Sequence, residues 1–235
     1  NVTADAEGWR QFRPELASFL SGLPDGPLAL AAWEPNLGRG GEGLTIPAQV
    51  NYVGKGADLY RLGYQLHGSA LVINRYLRTT WLWDQIREQG GAYGGFSIFD
   101  PRSGAFTFVS YRDPNLLRTL DVYDRTPEYL RGLELSESEL TRAIIGAISD
   151  LDAYQLPDAR GFTSLVRYLT GDDDEYRQRV RDEVLGTSLD DFRRFAEVLE
   201  RVRDAGLVVV MGSEGAITAA QSERPGLIAE VTKVM

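Results

Sequence analysis

Apolar residues at Trp9, Phe12, Leu16, Phe19 and Leu20 recur at the three- and four-residue spacing of one helix face. That spacing predicts a helix over 9–20, which Gly22 and Pro24 then stop. Pro27 to Gly43 is rich in glycine and proline and reads as a loop or linker. Leu44 to Val53 follows as a strand closed by Gly54 and Gly56. Leu71, Val72, Tyr76, Leu82, Trp83 and Ile86 then form a broad stripe that predicts one long helix from Ser69 to Glu88. Gly90 and Gly91 are its natural end, because glycine enters a left-handed cap without a Cβ penalty.

Two strands are expected next, Gly94 to Phe99 and Ala105 to Tyr111, joined by a hairpin turn at Asp100–Gly104 with proline early and glycine last. The second half is mainly helical: Asn115–Leu130, Leu140–Leu151 behind a Ser136/Glu139 capping box, Gly161–Leu169, Asp174–Val184 and Ser188–Ala205. Leu207–Met211, centred on three valines, reads as a buried strand. The order of elements indicates an α+β fold, one mainly antiparallel β-sheet covered by helices.

Composition narrows the function. A chain of 235 residues can bury a sizeable core, as one large domain or two small ones. No apolar run approaches the ~20 residues of a bilayer span, and no signal-peptide pattern opens the chain, so no membrane partner is expected. The chain starts at Asn1 and reads as an excised segment. A net charge of -9 argues against nucleic acid, whose phosphates require clustered Lys and Arg. The absence of cysteine excludes disulfides and thiolate chemistry and fits a reducing compartment.

Candidate chemistry is then sparse. His67 is the only histidine, so a catalytic zinc site wholly within these residues is not expected, and capping or packing is the better reading of His67. Asp172, Asp173, Asp174 and Glu175 lack calcium-loop spacing and read as a solvated helix start, with a carboxylate metal site in an unrelated α+β enzyme as the competing view. No G-x-S-x-G elbow is present, and the GRGGEG run at Gly38–Gly43 lacks the Lys-Ser/Thr ending of a phosphate loop. The GGAYGG run at Gly90–Gly95 is more telling. Gly90, Gly91, Gly94 and Gly95 around Tyr93 fit either a cleft wall that admits a peptide backbone or a bulged turn with Tyr93 in the core. Arg87, six residues before Tyr93, taken alone is a helix C-terminal cation.

Four long stretches, TIPAQVNYVGKG (Thr45–Gly56), TWLWDQIREQGGAYGGF (Thr80–Phe96), SYRDPNLL (Ser110–Leu117) and IIGAISDLDAYQLPDARG (Ile144–Gly161), resemble the presequence-protease branch of the pitrilysin family. These are inverzincin metallopeptidases that degrade unstructured peptides. The resemblance runs from about Thr45 to Met211 and implies the last of four similar domains. It implies residues 41–235 as the C-terminal, zinc-free domain and 1–40 as a connector or the tail of the preceding domain. It further implies that Arg87 holds a substrate carbonyl and that Tyr93 donates to the oxygen that becomes negative during attack. Both would act on peptides bound near Gly90, Gly91, Gly94 and Gly95. Zinc would belong to the N-terminal half of the same polypeptide, the implied partner, and this chain alone would be inactive. The expected location is a bacterial cytoplasm, with an organelle lumen second. The runner-up is a non-catalytic scaffold or binding subunit of the same fold.

Overall fold

A computed structural model of the chain describes residues 2–26, 32 and 40–234. The predicted loop over Pro27–Gly43 and the start of GRGGEG lie largely outside these residues. Contacts divide the chain into two compact units, one of residues 1–37 and 153–177, the other of residues 38–152 and 178–235.

The smaller unit carries the helices α1 (Ala6–Ser21) and α6 (Pro157–Thr170), neither of which buries a residue. Asp5 caps α1 by accepting from the Gly8 N–H. Pro157 starts α6, and Gly171 ends it in the left-handed conformation at φ 74°. Trp9, Phe12, Phe19, Phe162, Tyr168 and Leu169 are exposed.

The larger unit is built on a six-stranded sheet, ordered β3-β4-β2-β5-β1-β6. Its strands are β1 (Glu42–Thr45), β2 (Tyr52–Asp58), β3 (Gly94–Phe99), β4 (Ala105–Tyr111), β5 (Leu207–Gly212) and β6 (Glu230–Lys233). The pairs β3–β4, β4–β2 and β2–β5 are antiparallel, whereas β1 runs parallel to both β5 and β6. The hairpin and both of its strands agree with the sequence pattern. The single strand expected over Leu44–Val53 does not form: Ile46–Val50 leaves the sheet, and β5 inserts between β1 and β2. Neither α9 (Glu214–Glu223) nor β6 was anticipated, since four exposed residues carry no alternation to read.

The period-two pattern gives the sheet two unlike faces. Val53, Phe106, Phe108, Phe99 and Val210 point into the core, against α2 (Ser69–Thr79), α3 (Leu117–Asp124) and α8 (Leu189–Ala205). Phe108 stacks on Tyr123 of α3 with ring centroids 5.0 Å apart, and Phe106 meets Phe195 of α8 at 6.1 Å. The alternate residues Phe96, Ile98, Tyr111, Leu207 and Val209 are exposed. An exposed apolar sheet face is the kind of surface that marks a binding site. The remaining helices are α4 (Thr126–Arg131), α5 (Glu137–Leu151) and α7 (Asp174–Leu185). Asn115–Leu130, expected as one helix, is α3 and α4 broken at Arg125, with Pro127 at the start of the second. Ser136 and Glu139 form the expected capping box of α5. Among the described residues no helix is long and apolar enough to cross a membrane.

Candidate functional site

The long helix expected over Ser69–Glu88 stops at Thr79, because Thr80 turns to φ -127°, ψ -89°. Trp83–Glu88 resumes as a π-helical turn in which the Gln89 N–H reaches the Asp84 carbonyl at 2.9 Å. Such wide turns re-aim side chains and concentrate at functional sites. Here the turn puts Arg87 above Trp83, guanidinium carbon 4.0 Å from the ring centroid, with both side chains exposed.

The glycine run follows, and each glycine has a local reason. Gly91 sits at φ 79° and ends the turn, with the Gly91 N–H bonded to the Arg87 carbonyl and the Ala92 N–H to the Ile86 carbonyl. A Cβ on Gly90 would stand 2.4 Å from the Ile86 carbonyl oxygen. Gly95 lies on the core face, where a Cβ would come within 2.8 Å of the Ile86 Cβ. Gly94 lets the Phe96 ring fold over it, since a Cβ there would meet that ring at 2.5 Å. Close packing of the chain on itself therefore accounts for the run, and Tyr93 is not in the core: the residue is 65% exposed. Its N–H still bonds the Tyr111 carbonyl at 3.0 Å, which fixes the residue to the end of the β3–β4 ladder.

A buried hub holds this corner. Asp113 is fully buried; its carboxylate accepts from the Thr119 hydroxyl at 2.7 Å and the Asn115 N–H at 2.9 Å. Asn51 exchanges both backbone bonds with Asp113, and its side-chain amide donates to the Asp113 carbonyl at 3.2 Å. The Asn115 amide then donates to the Gly90 carbonyl at 2.7 Å, so the hub grips the glycine turn directly.

The same hub produces a β-bulge. Strand β2 pairs with β4 in constant register from Asp58↔Ala105 to Gly54↔Val109, yet Asn51 pairs with Asp113. Between those points β2 advances three residues, 51 to 54, and the facing strand advances four, 109 to 113. The extra residue bends the strand and redirects a side chain. At Val53, opposite the bulge, the Ser110 hydroxyl accepts from the backbone N–H and the Tyr123 hydroxyl donates to the carbonyl. Burial, the largest influence on Tyr123, drives its phenol far above the ordinary value and keeps this donor protonated.

Arg112 is at the bulge. Among the described residues it is the one non-glycine with left-handed backbone, φ 48°, a conformation that disfavours a Cβ by about 1–2 kcal/mol. Its guanidinium lies 5.5 Å from the Tyr93 ring centroid and 5.8 Å from that of Tyr111. A hydrogen bond with the Tyr52 side chain raises the guanidinium pKa further above its ordinary value. Tyr52 and Tyr111 meet edge to face at 5.5 Å. The structure thus gives the two sequence-selected residues separate neighbours: Arg87 has Trp83, and Tyr93 has Arg112. Residue-level reading passed over Arg112, Asn51, Asp113 and Asn115; the Asp-Pro-Asn turn at 113–115 was the available signal.

His67 supplies a first-turn cap, its Nδ1 2.8 Å from the Ser69 Oγ and 3.4 Å from the Ser69 N–H. Asp173 caps α7 by accepting from the Tyr176 N–H at 2.7 Å, which makes the acidic run a helix start. Among the described residues no group of three or more His, Cys, Asp or Glu side chains could hold a metal ion.

A family profile described as the PreP C-terminal domain matches residues 41–214. The chain is 50% identical to presequence protease 1, chloroplastic/mitochondrial, of Arabidopsis thaliana, over all of the chain and 22% of that protein. It is thus about a fifth of the length of that relative. In fold it is similar to a protease from Helicobacter pylori, with TM-score 0.58 and 14% identity over 89% of this chain and 53% of that one. It is also similar to pitrilysin, with TM-score 0.52 and 12% identity over 83% of this chain and 22% of that one.

Proposed function

The chain belongs to the presequence-protease family, as its C-terminal domain, and on that premise we propose that Arg87 and Tyr93 grip the scissile peptide of an unfolded oligopeptide. Tyr93 donates a hydrogen bond to the carbonyl oxygen that gains negative charge as the bond is attacked, and Arg87 holds a neighbouring substrate carbonyl. Donors fixed in advance at such an oxygen are worth about 2.7–4 kcal/mol each. The observation that carries this reading is the mount: two exposed donors stand at the ends of a turn tied down at Gly90, Gly91 and Tyr93. The open apolar face beside it, with Phe96, Ile98 and Tyr111, suits extended peptide side chains. β3 is the end strand of the sheet, so a substrate can align along it as an added strand.

Among the described residues no cluster of His, Cys, Asp or Glu side chains fits a zinc ion, and the single imidazole is engaged with Ser69. We assign zinc, whose chemistry is to activate the attacking water, to the N-terminal half of a longer parent polypeptide. Residues 41–235 are then the C-terminal domain and 1–40 a connector or the tail of the preceding domain. The grip and the metal meet only when the halves close, which excludes water and selects peptides small enough to be enclosed. The location we assign is the aqueous interior of a bacterium or an organelle, the latter supported by the name of the Arabidopsis relative.

The test is Arg87→Ala and Tyr93→Phe in the full-length enzyme, with turnover of an unfolded peptide measured. Each is expected to lower kcat/KM by ~100-fold or more. Near-normal values in both would remove the assigned role.

A further inference from the structure

The bulge at Arg112 has no part in the grip as described, yet it is the one place among the described residues where a non-glycine holds a left-handed backbone. A residue kept in a disfavoured conformation by a fully formed network is a sign of function, because the surrounding bonds must over-determine it. That network is the Asn51–Asp113 pair and its bonds to Asn115 and Thr119. The bulge delivers a guanidinium to three tyrosines: the Tyr93 and Tyr111 rings, at 5.5 and 5.8 Å, and the Tyr52 side chain. The neighbours of Arg112 include the two aromatic rings and the Tyr52 phenol.

We propose that Arg112 is the positioning residue for Tyr93: the bulge hands its guanidinium to the Tyr93 ring and holds that exposed phenol at the angle from which it donates to substrate. The inference rests on the role proposed for Tyr93. The physical need is plain. Tyr93 is exposed, and its backbone bond to Tyr111 fixes the Cα without fixing the ring. A cation over a ring within about 6 Å supplies the missing attraction. The Tyr111 ring, 5.8 Å from the same guanidinium and itself edge-on to Tyr52, is a second aromatic neighbour that limits where that cation can go. Arg112 acts through Tyr93, so it should affect the rate of the bound complex more than substrate binding.

The variant that tests this is Arg112→Gly. Glycine is at home at φ 48°, so the substitution removes the guanidinium and relieves the backbone. The full-length enzyme is made as wild type, Arg112→Gly, Arg112→Lys, Tyr93→Phe and the Arg112→Gly/Tyr93→Phe double variant. Arg112→Gly is expected to keep or raise the melting temperature and to lower kcat ~10-fold or more with KM nearly unchanged, since misplacing a reacting group by about 1 Å can cost ~100-fold. Arg112→Lys, which keeps a cation near the rings, is expected to recover part of that loss. In the Tyr93→Phe background Arg112→Gly is expected to cost almost nothing more. An equal loss in both backgrounds would overturn the inference, because Arg112 would then act without Tyr93. So would an unchanged kcat in Arg112→Gly beside a slow Tyr93→Phe, with the grip itself left standing. A near-normal Tyr93→Phe enzyme would remove the grip and this inference together.

Discussion

The side-chain amide of Asn115 donates to the carbonyl of Gly90 at 2.7 Å, joining the turn after β4 to the turn that ends the π-helical segment, 25 residues earlier in the chain. Through that bond the buried Asp113 network supports the backbone between Arg87 and Tyr93. Asn115→Ala is expected to destabilise the chain by about 1–2 kcal/mol. More specifically, it should speed amide hydrogen exchange at Ala92 and Tyr93 while exchange in α8 follows only the global loss. Unchanged protection at those two amides would show that the turn holds its shape unaided.

Arg87 has the Trp83 ring beneath it, 4.0 Å from guanidinium carbon to ring centroid. Trp83→Ala removes that platform, and kcat/KM of the full-length enzyme should fall about 2- to 5-fold, the equivalent of an exposed cation–π contact. Trp83→Phe keeps a ring and should remain close to wild type. Steady-state kinetics on the two variants separates a platform for Arg87 from a residue that is merely nearby.

The reading of the glycine run as self-packing is tested by stability alone. Gly95→Ala puts a Cβ 2.8 Å from the Ile86 Cβ inside the core and should cost about 1–3 kcal/mol in urea unfolding. Combining it with Ile86→Ala should cost less than the two single losses added together, because that change removes the Ile86 Cγ2 and Cδ1, two of the three atoms the added methyl meets, at 2.9 and 3.0 Å. Strict additivity would separate Gly95 from Ile86.

Acid stability has a defined contributor at the start of α8. Burial pushes the Asp191 carboxyl upward, but Arg194 and the N–H and hydroxyl of Ser188 outweigh it and hold the group below its ordinary value. A carboxyl whose pKa is lower in the folded chain contributes stability above its unfolded value of about 3.9 and loses it as pH falls through the folded one. Asp191→Ala is therefore expected to destabilise by about 1–2 kcal/mol at neutral pH, with the gap closing in acid. Urea unfolding at pH 7 and in steps below pH 4 measures that gap; a constant difference across the series would exclude the carboxylate as its source.

Local signals carried a large share of this protein. The capping box at Ser136, the hairpin at Asp100–Gly104, the left-handed stop at Gly91 and the helical starts at Asp173 and Ser188 each depend on residues within a few positions of one another. Sequence therefore determined them, together with the single histidine, too few for the paired imidazoles usual in a catalytic zinc site. Tertiary structure decided what depends on distant partners. β5 separates β1 from β2 although 148 residues lie between Asp58 and Leu207, and no local pattern encodes that insertion. The bulge at Arg112 exists only because Asn51 and Asp113 pair one residue out of register, which is a property of two strands and not of either one. The left-handed backbone of Arg112, and hence its place beside Tyr93, follows from that pairing. A side chain's type is written in the chain, but the direction in which it points is set by whatever the rest of the fold bonds to its backbone.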